Sequence, residues 1–489
     1  MKSKDIRKYN TYKYFCKKIL YIYTYLVTAL LVVMTKDKFN DIAFNQDDSC
    51  FSVATDEGFK IFNTFPLQNK LIQQFDEYQD KARGIGKTRM LNRSNYIALV
   101  GGGNDPRYPL NRLIIWDDLV GKESIKLNFM SNVKDVYLSR CLIIVKLESK
   151  ISIYSFGKIP IKLMDDIDIP VGSSINYVNY TGQSGSGSNS NGLICFESNK
   201  YRGQIHVMNL NKLNTTNGKQ DHILPTMIIK AHKSDIQLIK LNHQGTMVAT
   251  CSKKGTLIRI MNVQNGTLIN EFRRGIEKAE IYDMEFSPRG SKLAVISNKQ
   301  TLHIFEIFNE RKNSDINKRI NANNDIQTEN VYNKNLQNLN SLIPKRWGIQ
   351  YLDSVWSMCS IHLKNPINNS HNNKATSGST AMNNGYDTQF AKDRCKIGWC
   401  RSTPIRTQDS DDSDSNEDSL VLVWKNSGIW EKYVILEKNI SLNSTNKDND
   451  VKYFSVGESL GQPSVNNIRN EVPTHKKRWE IVREAWREL

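Results

Sequence analysis

Clustered cysteines are missing from this chain. Its eight cysteines (16, 50, 141, 195, 251, 359, 395 and 400) are scattered through 489 residues, and only Cys395 and Cys400 lie close, with four residues between them. No second pair completes a zinc site, so buried reduced thiols are expected, as in a cytosolic protein. Missing too is any constellation of nucleophile, histidine and acid, or of convergent paired carboxylates. The chain is therefore expected to be no enzyme and to need no cofactor or metal. GIGKT (84–88) resembles the end of a phosphate-binding loop, but that motif requires Gly five residues before Gly86, and Lys81 stands there. GGGNDP (101–106) opens no helix and reads as a turn between strands.

Acid is in shorter supply than base. Against 67 Lys and Arg stand 50 Asp and Glu, a net charge of +17, which suits an anionic partner such as nucleic acid, a membrane surface or an acidic protein. Part of that charge sits in MKSKDIRKYNTYKYFCKK, with seven basic residues and one acid, followed by ILYIYTYLVTALLVVM. A basic run before about 16 apolar residues resembles a signal or anchor segment. It is short for a membrane span, which takes about 20 residues, and no small-x-small cleavage site follows. The alternative is a reading frame opened too early, with translation starting at Met34. Residues 1–35 are set outside the fold on either reading.

What the chain has in abundance is repetition. FNQDDSCFSVATDEGFKIFN from Phe44, LNHQGTMVATCSKKGTLIRIMN from Leu241 and FSPRGSKLAVISNKQTLHIFEI from Phe286 share one plan of turn, alternating apolar run, turn and second alternating run. Gly245 and Gly290 are 45 apart, as are Ala249 and Ala294, Ser252 and Ser297, and Thr256 and Thr301. A unit of about 40–45 residues made of short strands and turns marks a WD40-type propeller blade. Weaker units follow at 95–121 (with Trp116–Asp117), 135–156, 176–210 and 397–437, seven in all. No stretch holds a helical period, so an all-β, seven-bladed propeller is predicted over residues 36–440.

Polar insertions interrupt it at 181–192, 308–345, 365–390 and 407–419. The last includes DSDDSDSNEDS (409–419), an acidic block expected to be solvated. Such loops project from a propeller rim. A polar linker follows at 441–475. RWEIVREAWREL then closes the chain with an amphipathic segment (476–489) whose Trp479, Val482, Trp486 and Leu489 are expected to pack on the propeller.

One short stretch, FRRG (272–275), carries the functional reading. Successive side chains of an extended strand leave on opposite faces, so Arg273 and Arg274 cannot share a pocket. The flanking units carry matched hydroxyls: Thr250, Ser252 and Thr256 on one side, Ser297, Thr301 and His303 on the other. A guanidinium beside hydroxyls and an imidazole suits a phosphate monoester. Two small anion sites are predicted rather than one groove.

FRRG, preceded by SKKGTLIRI and followed by SNKQTLHIF, resembles the PROPPIN family of phosphoinositide-binding seven-bladed propellers, the WIPI proteins of animals among them. The likeness covers roughly residues 39–310 and 350–440. FNQDD (44–48), YIALVGGG, LIIWDD and SGIWEKYVILE are most similar to the fungal subgroup homologous to the swollen-vacuole protein. The resemblance implies binding of phosphatidylinositol 3-phosphate and phosphatidylinositol 3,5-bisphosphate at two rim sites. It further implies autophagy protein partners, and residence in the cytoplasm and on vacuolar, endosomal or other vesicle membranes. Carried over by motif, His232, Thr250, Ser252, Thr256 and Arg273 form the first site, and Arg274, Ser297, Thr301 and His303 the second.

The resemblance also implies a membrane-inserting loop in blade six, within residues 308–350. There Leu336, Leu339 and Ile343 follow helical spacing, with Lys345, Arg346 and Trp347 beyond, a composition suited to the headgroup boundary. Nucleic-acid binding would need a basic stripe with stacking aromatics, and here the basic residues are spread through the insertions. The remaining alternative is a lipid-independent scaffold.

Overall fold

A computed structural model describes residues 39–75, 82–179, 192–213, 226–307, 355–363, 393–400, 417–439 and 477–489. These residues form seven sheets, each a four-stranded antiparallel meander from an innermost to an outermost strand, one of them extended by a parallel fifth strand. Blade one holds β1 (Asp41–Phe44), β2 (Cys50–Ala54), β3 (Gly58–Asn63) and β4 (Gln68–Gln74); blade two holds β5 (Ile85–Met90), β6 (Tyr96–Gly101), β7 (Arg112–Asp117) and β8 (Lys122–Asn128). Blade three comprises β9 (Asp135–Leu138), β10 (Leu142–Lys146), β11 (Lys150–Ser155) and β12 (Ile167–Asp168). Blade four comprises β13 (Ile175–Val178), β14 (Leu193–Glu197), β15 (Gln204–Asn209) and β16 (Thr226–Lys230). Blade five contains β17 (Ile236–Leu241), β18 (Met247–Ser252), β19 (Leu257–Asn262) and β20 (Leu268–Arg273). Blade six contains β21 (Ile281–Phe286), β22 (Lys292–Ser297) and β23 (Thr301–Glu306). Two strands follow the insertion after β23: β24 (Val355–Trp356), added in parallel to β20, and β25 (Cys359–His362), which completes blade six. Blade seven is β26 (Cys395–Cys400), β27 (Ser419–Trp424), β28 (Ile429–Asn439) and β29 (Lys477–Glu488). The predicted seven-bladed propeller is the fold.

Both faces of each middle strand are covered by a neighbouring blade, which is why these strands read as nearly continuous apolar runs. Along β18, Met247, Ala249 and Cys251 enter the core shared with blade six, while Val248 enters the core shared with blade four. Seven such cores exist, one per pair of adjacent blades, and the seventh joins Phe39, Phe51 and Val53 of blade one to Val421, Val423 and Trp430 of blade seven. Burying each of the larger aliphatic and aromatic side chains in them contributes about 1.5–3 kcal/mol. The 45-residue register is kept by turns: Gly245 and Gly290 end matching β17–β18 and β21–β22 turns with φ of 66° and 75°. At the seam of the ring Gly398 lets the strand approach Phe44 closely, since a Cβ there would lie 2.3 Å from the Phe44 ring and force that ring to shift.

The innermost strands leave one edge unpaired, and unpaired edges in a closed ring need other partners. Side chains of adjacent blades supply them. Leu241 N–H donates to Asn176 Oδ1 (2.9 Å) and Ile239 N–H to Ser174 Oγ (3.0 Å). Ile397 N–H donates to Asp283 Oδ2 (3.0 Å). These edges surround a polar central cavity of about 510 Å³, lined by residues of all seven innermost strands.

Two expectations are corrected. Residues 477–488 are not a segment laid on the propeller but the outermost strand of blade seven, paired with β28 from Ile429↔Glu488 to Asn439↔Lys477. Its period is two: Trp479 and Ile481 pack in the core with blade six, whereas Val482 and Trp486, also expected to pack, are exposed. The acidic block also ends earlier than 419. Glu417 is buried and accepts from the Arg289 N–H and the Ser291 hydroxyl, and Asp418 pairs with Lys292 at 2.8 Å. These two acids compensate the exposed polar edge of blade six, so they fold while the acids before them lie outside the described residues. The N-terminal extension, most of each insertion and the 441–475 linker lie there too.

Candidate functional site

Strand β20 places the two arginines. Phe272 pairs with Ile258, and both belong to the core facing blade six. Arg273, paired with Leu257, therefore falls on the side of blade four, and Arg274 returns to the side of blade six. Alternation sorts the hydroxyls in the same way. In β18, Thr250 and Ser252 alternate with residues of the blade-six core, so they share the blade-four side with Arg273. In β22 and β23, Ala294, Ile296, Leu302 and Ile304 face blade seven. Ser297, Thr301 and His303 therefore face blade five and Arg274. Two grooves result, one on each side of blade five.

In the first groove His232 is buried with Nε2 3.1 Å from Thr250 Oγ1. Burial, reinforced by the Arg259 charge, holds its imidazole down at about 4, so it is a neutral hydrogen-bonding group near pH 7. Arg259, cross-strand from Thr250, was not among the sequence candidates. Its Nε meets Glu271 at 2.8 Å and its Nη1 donates to the Ala231 carbonyl at 2.7 Å. The signal was an arginine between two buried isoleucines in LIRIM, which places it on the hydroxyl-bearing side. Thr256 sits differently from the rest of its set: its carbonyl accepts the Arg274 N–H at 3.0 Å, so pairing sets it opposite Arg274 and not Arg273.

In the second groove Arg274 is buried and donates from Nε to the Gly255 carbonyl (2.9 Å) and from Nη2 to the Glu277 carbonyl. These bonds orient the fork between the blades. Burial, reinforced by the Arg274 charge, pushes His303 down to about 4, so it too is neutral near pH 7. His303 Nδ1 is 3.3 Å from Ser357 Oγ, and Thr301 Oγ1 is 3.5 Å from His362 Nδ1. Ser357 and His362 escaped the sequence reading because a long insertion separates them from β23.

No other constellation competes strongly. Among the described residues, Asp48, His243 and Glu285 bring ligand atoms within 4.8 Å of one another in the central cavity, but the Lys240 ammonium already sits on Glu285. The Gly84–Thr88 stretch serves β5, where Lys87 pairs with Asp41 at 3.1 Å and Thr88 donates to Ser52 Oγ at 2.9 Å. Among the described residues no helix is long and apolar enough to cross a membrane. Leu336, Leu339, Ile343 and Trp347 lie outside the described residues.

Comparison with known proteins adds an independent line. The PROPPIN family model matches residues 39–319. SVP1-like protein 2 of Saccharomyces cerevisiae is 51% identical over 466 residues, covering 93% of this chain and 97% of that protein. The structure of Kluyveromyces lactis Hsv2 is 28% identical with a TM-score of 0.58, covering 93% of this chain and 99% of that one. A complex of KlAtg21 with the coiled coil of AgAtg16 shares the fold, at 19% identity and a TM-score of 0.50, over 81% of this chain and 94% of that one.

Proposed function

We propose that this chain, which belongs to the PROPPIN family of β-propellers, is a peripheral membrane protein holding one phosphoinositide headgroup on each side of blade five. The observation that carries the reading is the division of Arg273 and Arg274 between two grooves, each with its own hydroxyl and imidazole set. A forked guanidinium aimed between hydroxyls matches a phosphate monoester, and neutral imidazoles add hydrogen bonds without demanding a fixed charge. The lipids are phosphatidylinositol 3-phosphate and phosphatidylinositol 3,5-bisphosphate. The membranes are vacuolar, endosomal or related vesicle membranes reached from the cytoplasm. The partners are autophagy proteins, a class to which the KlAtg21 complex lends support. The chain acts by binding, not catalysis, and takes no nucleic acid.

Liposome flotation tests this. Floating with vesicles that contain either 3-phosphorylated lipid, and not with matched vesicles of phosphatidylinositol, is the expected result. Equal recovery on both vesicles would remove the reading and leave a lipid-independent scaffold, the common role of propellers, in its place.

A further inference from the structure

Strand β29 is the longest of the propeller, and it is an edge. Its 12 residues pair with β28 on one side, and among the described residues no strand lies on the other. The outermost strands β4, β8, β12, β16 and β25 have two to seven residues, and the edge of β20 is covered by β24. A long open edge offers a row of main-chain donors and acceptors to another strand. No proline or glycine interrupts that row in β29.

The side chains of β29 fall into two sets, since cross-strand partners share a face. Trp479 and Ile481 face blade six, as do Trp486, opposite Glu431, and Glu488, opposite Ile429. Glu480 and Val482 alternate to the other face, where Ala485 packs in the core with blade one and Arg487 stands opposite Trp430 of that core. Because the register shifts between Arg483 and Ala485, Trp479 to Val482 and Glu488 back to Ala485 run through the faces in the same order. A two-fold axis between Arg483 and Glu484, normal to the sheet, therefore joins like faces of two copies. It sets Glu480 opposite Arg487, Ile481 opposite Trp486 and Val482 opposite Ala485, each pair occurring twice. One pair joins opposite charges and two join apolar side chains, among them the exposed Val482 and Trp486. A register displaced by one residue would set opposite faces against each other. Glu480 also has an interaction within its own chain, and its two oxygens accept more than one donor, so the pairing leaves that contact in place. We propose that β29 is an interface for a second copy of this chain, paired edge to edge and antiparallel about Arg483–Glu484. An unrelated strand would meet charges not matched to its own, whereas a second copy meets their complement.

The test is sedimentation equilibrium of the full chain at rising concentrations, without lipid. The average mass should climb from that of one chain towards that of two. Glu480→Arg and Arg487→Glu each place like charges at both occurrences of the charged pair, and each should weaken association about tenfold or more. An equimolar mixture of the two variants should recover the association of the unmodified chain, because each variant then meets its opposite charge in the other. That recovery also requires both variants to be folded. A chain that stays single up to its solubility limit overturns the proposal. Association that the single variants leave unchanged, or that the mixture fails to recover, overturns it as well, because either result assigns the contact to another surface.

Discussion

Asp48 in blade one and Trp399 in blade seven are 351 residues apart in the chain, yet the Asp48 carboxylate accepts the Trp399 main-chain N–H at 3.1 Å. The Trp399 indole in turn donates to the Glu285 carbonyl of blade six at 3.2 Å. The innermost strand of the last blade is thus held from both sides, and the carboxyls around it are buried together.

Stability should fall as pH rises through neutrality. Burial outweighs the attraction of Lys240 and pushes Asp48 up to about 7 and Glu285 up to about 8. The folded chain keeps protons that an unfolded chain releases near pH 4, so their contribution is lost between about pH 4 and pH 8. Asp41 works in the opposite sense: Arg89 and Lys87 overcome burial and hold it at about 2, so its contribution is lost on acidification. Thermal melts should show a lower melting temperature at about pH 8.5 than at about pH 6.5. Asp48→Asn, which keeps an acceptor for Trp399, should narrow the difference. A melting temperature that climbs over this interval refutes the assignment.

Changing both Arg273 and Arg274 to Thr should abolish lipid-dependent flotation, and each single change should leave a weakened protein. Each lost arginine–phosphate contact is worth about 1.5–3 kcal/mol, roughly 10- to 100-fold in affinity per site. Arg274 also ties Gly255 to Glu277, so its single variant should melt lower as well. Undiminished flotation of the double variant contradicts the model.

Replacing Leu336, Leu339 and Ile343 with Asp should release the protein from liposomes while binding of the soluble short-chain lipid survives. Stable residence takes an apolar signal beside the electrostatic one. Three inserted aliphatic side chains would supply about 1.5 kcal/mol or more each before ordering losses. An environment-sensitive dye at position 339 that shows no blue shift on adding lipid would assign these residues elsewhere.

Truncation after residue 476 should prevent stable folding. It strips β28 of its outer partner along its whole length and uncovers Tyr433 and Ile435 in the core between blades six and seven. Soluble expression with an unchanged melting temperature would be incompatible with β29 as a structural strand.

Deleting residues 1–33 should leave folding and lipid-dependent recruitment intact, as judged by melting temperature and microscopy. A deleted form that stays cytosolic while binding phosphoinositide normally in vitro would make that segment an anchor.

The repeats visible in the sequence are the middle strands of each blade. β18 and β22 are buried on both faces and bounded by sharp turns, so apolar runs, Gly245 and Gly290 mark them. Outer strands carry little such signal. β4 is mostly exposed, β12 has two residues, and β29 alternates with period two while also matching a helical spacing. The sites follow the same rule. Arg273, Arg274 and their hydroxyls stand next to readable strands, whereas Ser357 and His362 become neighbours of His303 and Thr301 only through pairing across a long insertion. Arg259 was legible in part: the buried isoleucines on either side put it on the polar face of β19, but its place opposite Thr250 is set by the strand register.

Phe39 lies in the core between blades one and seven, and Leu489 packs against that same core while its N–H meets the Gly428 carbonyl at 2.9 Å. Tension applied between these two residues would therefore load a single interface. Blade seven would shear from blade one before any of the other six contacts felt the strain. A ring closed through seven cores is, mechanically, a clasp with one opening.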